Sequence, residues 1–213
     1  MRHRPAPLLT AAALALVASV GAPAGAASAP DRITGTPGDD TLVGTAAGEV
    51  IDGRAGDDVL RGRAGRDRLL GRTGADLLAG GRGKDSLYAG PGDDVLRGGP
   101  GADGLAGEGG DDRVHGGPGD DVLTDTLVLS PITAGPPRDR DVLVGGSGND
   151  TIAIQSGPDT VLAGLGDDLV KLVDDGAVDL IRCGPGRDRV VYFSAPDPLD
   201  LIAGDCERVV DAG

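Results

Sequence analysis

A nine-residue repeat runs through residues 35–124 without a break. Its ten consecutive units read GTPGDDTLV, GTAAGEVID, GRAGDDVLR, GRAGRDRLL, GRTGADLLA, GGRGKDSLY, AGPGDDVLR, GGPGADGLA, GEGGDDRVH and GGPGDDVLT. The sixth residue is Asp in nine units and Glu49 in one, and the eighth residue is aliphatic in all ten. A fixed short period predicts identical units that stack on one another, because a single unit cannot bury its apolar side chain alone. The repeat therefore predicts a solenoid.

The composition leaves little material for a conventional hydrophobic core. Gly accounts for 39 of the 213 residues, aromatic residues for 1%, and the formal net charge is −14. Low hydrophobicity with high net charge is typical of chains that stay disordered by themselves, so we expect folding free energy to come from outside the polypeptide. The negative charge disfavours nucleic acid and anionic membranes as partners and favours cations.

Residues 1–29 have the pattern of a secretory signal peptide. A basic start at Met1–Arg4 precedes a short apolar run at Leu8–Val20, and A-x-A cleavage motifs follow within residues 24–29. The apolar run is too short to span a membrane, so we expect cleavage between residues 24 and 29 and a secreted, extracellular protein. The alternative is an uncleaved membrane anchor. Loss of the two arginines in this segment would take the formal charge from −14 to −16.

The sequence predicts one elongated domain at residues 30–191 followed by a C-terminal cap. An eleven-residue interruption at 125–135 is predicted to form a loop or an extra strand outside the array. The nine-residue frame resumes over 136–191, with a two-residue slip at 172–173. Terminal units of a solenoid are expected to be irregular because they cover an exposed end, and residues 192–213 depart from the repeat altogether.

The C-terminal region holds the aromatic and sulphur-containing residues that could close the array. Tyr192 and Phe193 are suited to covering the last coil. Cys183 and Cys206 are an even pair in a chain predicted to be exported, which favours a disulfide that ties the tail to the last repeat. The alternative is two free thiols. Their spacing, with no histidine nearby, disfavours a zinc site.

The two halves of each unit favour different backbone conformations. Positions 1 to 6 are rich in Gly and Asp, which favour turns and positive φ angles. Positions 7 to 9 have the pattern of a very short strand whose eighth residue points inward. We therefore predict an all-β fold, a parallel β-roll with two units per coil, in which sixteen units form eight coils.

Two units per coil would place alternate sixth-position carboxylates along the same edge. The first edge would carry Asp40, Asp58, Asp76, Asp94 and Asp112, and the second edge Glu49, Asp67, Asp85, Asp103 and Asp121. Carboxylates stacked one coil apart repel each other unless a cation lies between them. Ca²⁺ accepts six to eight oxygens in flexible geometry and suits such turns better than Mg²⁺. The lack of His and Cys at the turns disfavours softer metals.

The repeat resembles the RTX, or haemolysin-type, calcium-binding nonapeptide G-G-x-G-x-D-x-U-x, where U is a large aliphatic residue. Units 98–106 and 116–124 match it at every fixed position, and the resemblance extends over about three quarters of the chain. It implies a parallel β-roll that binds several Ca²⁺ ions through backbone oxygens of the turns and the Asp at position 6. The ligands implied in this chain are Asp40, Asp58, Asp67, Asp76, Asp85, Asp94, Asp103, Asp112, Asp121, Asp150, Asp168 and Asp188.

Departures from the pattern predict unequal sites. Ala47 and Glu49 replace the fourth-position Gly and the sixth-position Asp of one unit, so we expect a weak site there. At position 5 the first edge is more acidic than the second edge, where Arg66 and Lys84 occur. The first edge should therefore bind Ca²⁺ more tightly.

No catalytic constellation stands out in the sequence. The chain has two histidines, lacks H-E-x-x-H and G-x-S-x-G, and has no room for a catalytic domain once signal, repeats and cap are assigned. We therefore expect a non-enzymatic calcium-binding protein that folds on Ca²⁺ and serves a structural or adhesive role at the cell surface or outside the cell. The alternatives are an accessory module that binds carbohydrate or a partner protein through the loop at 125–135, or a secreted hydrolase.

Overall fold

The computed structural model describes residues 30–125, 139–173, 176–193, 200–206 and 208–211. These residues form nineteen β-strands in two parallel sheets, and no helix occurs among them. A helix able to cross a membrane is accordingly not found in this part of the chain. The predicted all-β parallel roll is confirmed.

Odd-numbered and even-numbered strands lie in different sheets, so the chain alternates between the two with every strand. The ten-stranded odd sheet contains β1 (Asp31–Thr34), β3 (Glu49–Ala55), β5 (Arg68–Thr73), β7 (Ser86–Pro91), β9 (Gly104–Gly109), β11 (Val122–Thr124), β13 (Thr151–Ile154), β15 (Leu169–Leu172), β17 (Arg189–Tyr192) and β19 (Arg208–Asp211). The nine-stranded even sheet contains β2 (Thr41–Val43), β4 (Val59–Ala64), β6 (Leu77–Arg82), β8 (Val95–Arg97), β10 (Arg113–Pro118), β12 (Val142–Ser147), β14 (Thr160–Leu165), β16 (Leu180–Arg182) and β18 (Leu201–Ile202).

The strand register confirms two repeat units per coil. Thr41 pairs with Val59, eighteen residues further along the chain. The spacing rises to twenty between Leu169 and Arg189, which is the predicted two-residue slip. Each coil therefore lies directly on the previous one, with equivalent repeat positions in contact.

Many of the strands are longer than the sequence predicts, whereas β2, β8, β11 and β16 have the predicted three residues. We assigned positions 1 to 6 to turns, but β4 spans positions 7 to 9 of one unit and positions 1 to 3 of the next. Arg63 in this strand pairs with Gly81 of the following coil, and the Gly65 N–H donates to the Arg82 carbonyl at 2.9 Å. Stacking lets the backbone of these glycine-rich positions pair with the next coil, so only positions 4 to 6 remain as the turn.

The core consists mainly of aliphatic side chains that both sheets place between them. The eighth-position residues are at most 2% exposed, as the repeat predicts: Leu42, Ile51, Leu60, Leu69, Leu78, Leu87, Leu96, Leu105, Val114 and Leu123. The file continues through Leu143, Ile152, Val161, Val170, Ile181 and Val190. Burial of each such side chain stabilises the fold by roughly 1.5–3 kcal/mol. A core with so few large side chains leaves the turns as the remaining place where the roll can gain free energy.

The C-terminal tail follows the roll although its spacing leaves the repeat. Strands β18 and β19 add one strand to the even and odd sheets respectively. Tyr192 is buried, as expected, and its hydroxyl donates to Asp200 Oδ2 at 2.9 Å. Phe193 is 60% exposed, so the expectation that it covers the last coil is wrong. Cys183 and Cys206 form the predicted disulfide.

The two other segments singled out by the sequence are described in part or not at all. The predicted signal peptide lies outside the described residues, as do residues 126–135 of the interruption. Asp125, which we placed at the start of that interruption, instead lies inside the roll and is 1% exposed.

Candidate metal centre

The sixth-position carboxylates form two buried files, one along each edge of the roll. None is more than 5% exposed. The first edge contains Asp40, Asp58, Asp76, Asp94, Asp112, Asp141, Asp159 and Asp179, and the second edge contains Glu49, Asp67, Asp85, Asp103, Asp121, Asp150, Asp168 and Asp188. All twelve aspartates predicted as ligands lie in these files.

In every file carboxylate except Asp40 and Glu49, which begin the two files, one oxygen is fixed by the preceding coil. The Asp40 N–H donates to Asp58 Oδ1 at 2.8 Å, and the same bond recurs along both edges at 2.6–3.0 Å. The sequence predicts that carboxylates stacked one coil apart repel each other unless a cation lies between them. The structure adds a backbone N–H, which meets part of their hydrogen-bonding need and holds these side chains in the same orientation.

The second oxygen of most of these carboxylates is buried without a hydrogen-bond donor in the structure. This holds for Oδ2 of Asp58, Asp67, Asp76, Asp85, Asp94, Asp103, Asp112, Asp121, Asp150, Asp159, Asp168 and Asp188. A buried, ionised oxygen without a partner costs several kcal/mol. Because such an oxygen recurs in most half-coils, the roll is destabilised repeatedly unless a cation or a proton binds at each of these oxygens.

A first-position glycine lies against many of these oxygens. A Cβ added to Gly53 would lie 2.3 Å from Asp58 Oδ2, and one added to Gly107 would lie 2.3 Å from Asp112 Oδ2. Most side chains at that position would therefore compete with the carboxylate for the same space. Glycine at the first position therefore leaves a small space beside the carboxylate, and carboxylate and backbone carbonyl oxygens surround it.

The donor set fits a hard divalent cation. Most turns offer a carboxylate oxygen without a hydrogen-bond partner among the described residues, held in place through the other oxygen of the same carboxylate. Ca²⁺ binds carboxylate and carbonyl oxygens without strict geometry, which suits a turn rich in backbone. His and Cys ligands, which softer metals prefer, are absent from both files.

Comparison with known families agrees with this chemistry. A family model that describes four copies of the RTX calcium-binding nonapeptide repeat matches residues 28–47, 43–78, 70–105, 88–123 and 138–170. Together these segments cover more than half of the chain. The chain belongs to the RTX repeat family. RTX repeats bind Ca²⁺, and the files of buried aspartates in this RTX protein are consistent with several calcium sites. Comparison with curated proteins finds no significant match.

The two carboxylates at the start of the RTX roll differ from the rest. Asp40 Oδ2 accepts hydrogen bonds from the Thr36 N–H at 2.5 Å and the Thr36 hydroxyl at 3.0 Å. Glu49 Oε2 accepts from the Thr45 N–H at 3.1 Å, and Glu49 Oε1 accepts from the Thr45 hydroxyl. A threonine therefore supplies donors where the other units leave an oxygen unsatisfied, which supports weak calcium binding at these two positions.

Burial makes the free acid form of these groups unusually stable in the calcium-free RTX roll. Loss of solvation raises the pKa of Asp159 to about 9 and that of Asp112 to about 8, and neighbouring carboxylates add to the rise. The same causes raise the pKa to about 7 in Asp94, Asp121 and Asp141. They raise it to about 6 in Asp58, Asp67, Asp76, Asp103 and Asp150.

These pKa shifts predict that acid stabilises the calcium-free roll. A carboxyl whose folded pKa lies above its unfolded value of 3.8 favours folding below that value, and the contribution is lost as the pH rises through about 6 to 9. We expect metal-stripped protein to gain β-structure and a higher melting temperature between pH 8.5 and pH 5.5, followed by circular dichroism. In saturating Ca²⁺ the trend should reverse, because protons compete with the cation. A calcium-free melting temperature that falls on acidification would contradict this.

The structure adds four buried aspartates to the ligands predicted from the sequence. Asp141, Asp159 and Asp179 occupy position 6, and the repeat frame already contained the signal that would have identified them. Asp125 carried no such signal, because it follows the last regular unit and precedes the interruption. Carboxylate oxygens of Asp125, Asp141 and Asp159 lie within 4.8 Å of one another.

Proposed function

We propose that this RTX protein is a secreted calcium-binding protein that folds when it meets Ca²⁺ outside the cell and then acts as a structural or adhesive element. The observation that carries the proposal is the row of buried Oδ2 atoms without a donor on each edge. The proposed ligands, with backbone oxygens of the same turns, are Asp40, Asp58, Asp67, Asp76, Asp85, Asp94, Asp103, Asp112, Asp121, Asp150, Asp168 and Asp188.

Calcium supplies the positive charge that the turns lack. Within the described residues, the only ion pairs join Asp52 to Arg32 and Arg72, and neither involves a sixth-position carboxylate. A ligand that binds only the folded state stabilises it by about 2.7 kcal/mol per site at a concentration 100-fold above the dissociation constant. A few such sites match the whole stability of an ordinary domain, about 5–15 kcal/mol. Folding of this narrow roll would therefore depend on calcium.

The amino terminus supports export. Residues 1–29 combine a basic start, an apolar run and A-x-A motifs, which favours general secretion with cleavage between residues 24 and 29. We accordingly divide the chain into this signal, the roll at 30–191 and a C-terminal cap at 192–213. Amino-terminal sequencing of protein recovered from the culture medium tests the assignment, and an intact Met1 there would contradict it.

The proposed role is non-enzymatic. The buried carboxylates of the two files recur at one repeat position, as a structural array requires, whereas a catalytic acid or base occupies a single special environment. A long, rigid and highly charged rod suits a scaffold or an adhesive surface. Extracellular polysaccharide or a surface component is the kind of partner that such a rod could meet through Ca²⁺ and exposed charge.

Calcium-dependent folding is the direct test of this proposal. In chelator at pH 8 we expect the mature protein to have the circular dichroism spectrum of a largely disordered chain. Added Ca²⁺ should produce a β-sheet spectrum cooperatively, whereas Mg²⁺ at the same concentration should produce a much smaller change, because it dehydrates less readily. An unchanged β-sheet spectrum in chelator would refute the proposal.

A further inference from the structure

The interruption of the repeat leaves an aspartate at a position that is otherwise small or apolar. Asp125 follows β11 directly, its N–H donates to the Ala153 carbonyl at 3.3 Å, and its carbonyl accepts from the Glu108 N–H at 2.6 Å. Position-1 glycines make the same two bonds in regular coils. The Gly44 N–H donates to the Arg61 carbonyl, and the Gly98 carbonyl accepts from the Gly81 N–H. Asp125 therefore occupies position 1 of the coil that leads to Asp141.

Position 1 aims its side chain at the sixth-position carboxylate of the same coil. A Cβ on Gly107, one coil earlier, would lie 2.3 Å from Asp112 Oδ2. The side chain of Asp125 starts in the same direction and reaches the next coil, where its Oδ2 accepts from the N–H groups of Gln155 at 2.6 Å and Ser156 at 3.1 Å. Its carboxylate is thus fixed between the coil of Asp141 and the coil of Asp159.

Three carboxylates meet at this point, with no more than 2% of any of the three residues exposed. One oxygen from each of Asp125, Asp141 and Asp159 lies within 4.8 Å of the others. Asp159 Oδ2 has no hydrogen-bond partner, although its Oδ1 accepts from the Asp141 N–H at 2.9 Å. No described basic side chain forms an ion pair with Asp141 or Asp159.

We propose that Asp125, Asp141 and Asp159 form a separate three-carboxylate calcium site at the point where the repeat is interrupted. The ten regular units have Gly or Ala at position 1, whereas here position 1 adds a third carboxylate. A larger number of charged ligands raises the affinity of an oxygen site for Ca²⁺. The site should therefore bind the first and tightest ion of the chain and join the two blocks of repeats across the interruption.

The repeat itself supplies the matched variant for a test. Asp125→Gly restores the residue found at position 1 of regular units, so the roll should keep its backbone while losing the third carboxylate. Asp125→Asn keeps the shape of the side chain and removes its charge. Asp205→Asn removes one exposed carboxylate of the C-terminal cap, which belongs to neither file, and serves as the control.

Equilibrium dialysis of the full mature chain against radioactive Ca²⁺ gives the number and affinity of bound ions. We expect wild type and Asp205→Asn to share one ion that is tighter than the rest. In Asp125→Gly and Asp125→Asn this ion should bind roughly ten-fold more weakly or be lost, while the remaining ions are unchanged. An unaltered tight ion in Asp125→Gly, with a folded spectrum in Ca²⁺, would overturn the proposal.

The result separates this site from the proposed turn sites. Calcium binding by the turns without an effect of Asp125→Gly would remove only the three-carboxylate site. A single bound ion that depends on Asp125, with no others, would support this site and remove calcium binding by the regular turns. Because Asp125→Gly restores the repeat pattern, a folded variant is expected in either case.

Discussion

Replacement of Asp58 and Asp76 together by alanine should raise the Ca²⁺ concentration needed to fold the roll by roughly ten-fold or more. Replacement of Asp67 and Asp85 should raise it only a few-fold. Both pairs stand in consecutive coils, and all four residues are no more than 2% exposed. Each variant also leaves two buried N–H groups without their carboxylate acceptor. The two double variants therefore match in everything except the edge they belong to.

The expected difference comes from position 5. On the first edge Asp39 Oδ1 accepts from the Asp57 N–H at 2.9 Å, and Asp57 Oδ1 accepts from the Ala75 N–H at 2.8 Å. These bonds hold two extra carboxylates beside the turn. The second edge has Arg66 and Lys84 there, and the Lys84 charge works against the rise in the pKa of Asp103. A positive charge at that place also opposes a bound cation.

Calcium titrations followed by circular dichroism measure this effect, with the two variants compared at equal concentration and ionic strength. Equal shifts of the folding midpoint would remove the idea that one edge binds more tightly. A larger shift of the midpoint in the Asp67 and Asp85 variant would show that the second edge binds Ca²⁺ more tightly.

Gly83→Ala should destabilise the calcium-loaded roll by roughly 3 kcal/mol or more. Gly83 is the fourth-position residue of its unit and has a φ angle of +135°, and a Cβ there would lie 1.6 Å from the Gly65 carbonyl oxygen of the preceding coil. The contact is with backbone, which cannot rotate away as a side chain can. The coils on either side would have to separate, and the calcium-binding turn would open with them.

Gly104→Ala is the control for this variant. Gly104 lies in β9, and an added Cβ would meet nothing within 4 Å. Its stability in saturating Ca²⁺ should stay within about 0.5 kcal/mol of wild type. Denaturation midpoints in urea compare the two, and a Gly83→Ala protein as stable as Gly104→Ala would contradict the stacking of the turns seen in the structure.

The sequence predicts the plan of the roll well because a strict period leaves few ways to stack. One aliphatic residue every nine positions requires a thin core, and two units per coil bring like positions together, as the eighteen-residue register confirms. The nine-residue spacing also determines which carboxylates lie on the same edge. These conclusions depend only on the position of each residue within its repeat unit.

Details that depend on distance could not be read from the pattern. Spacing alone does not show that the Asp40 N–H reaches Asp58 Oδ1, so the hydrogen-bonded half of each carboxylate went unforeseen. The pattern also does not show at which residue the insertion leaves the roll. The repeat resumes at residue 136 in the same way whether Asp125 belongs to the roll or to the insertion. The tail was missed because its coil is longer than eighteen residues, which removes the period while Leu180 still pairs with Leu201.

Calcium binding at the turns is tested by a crystal structure of the mature protein grown in Ca²⁺, with diffraction data collected at a wavelength where calcium scatters anomalously. We expect anomalous peaks along both edges, within bonding distance of Oδ2 of residues such as Asp76 and Asp94, the atoms that lack a donor in the structure. A well-ordered roll with no anomalous peak beside these oxygens would contradict calcium binding at the turns.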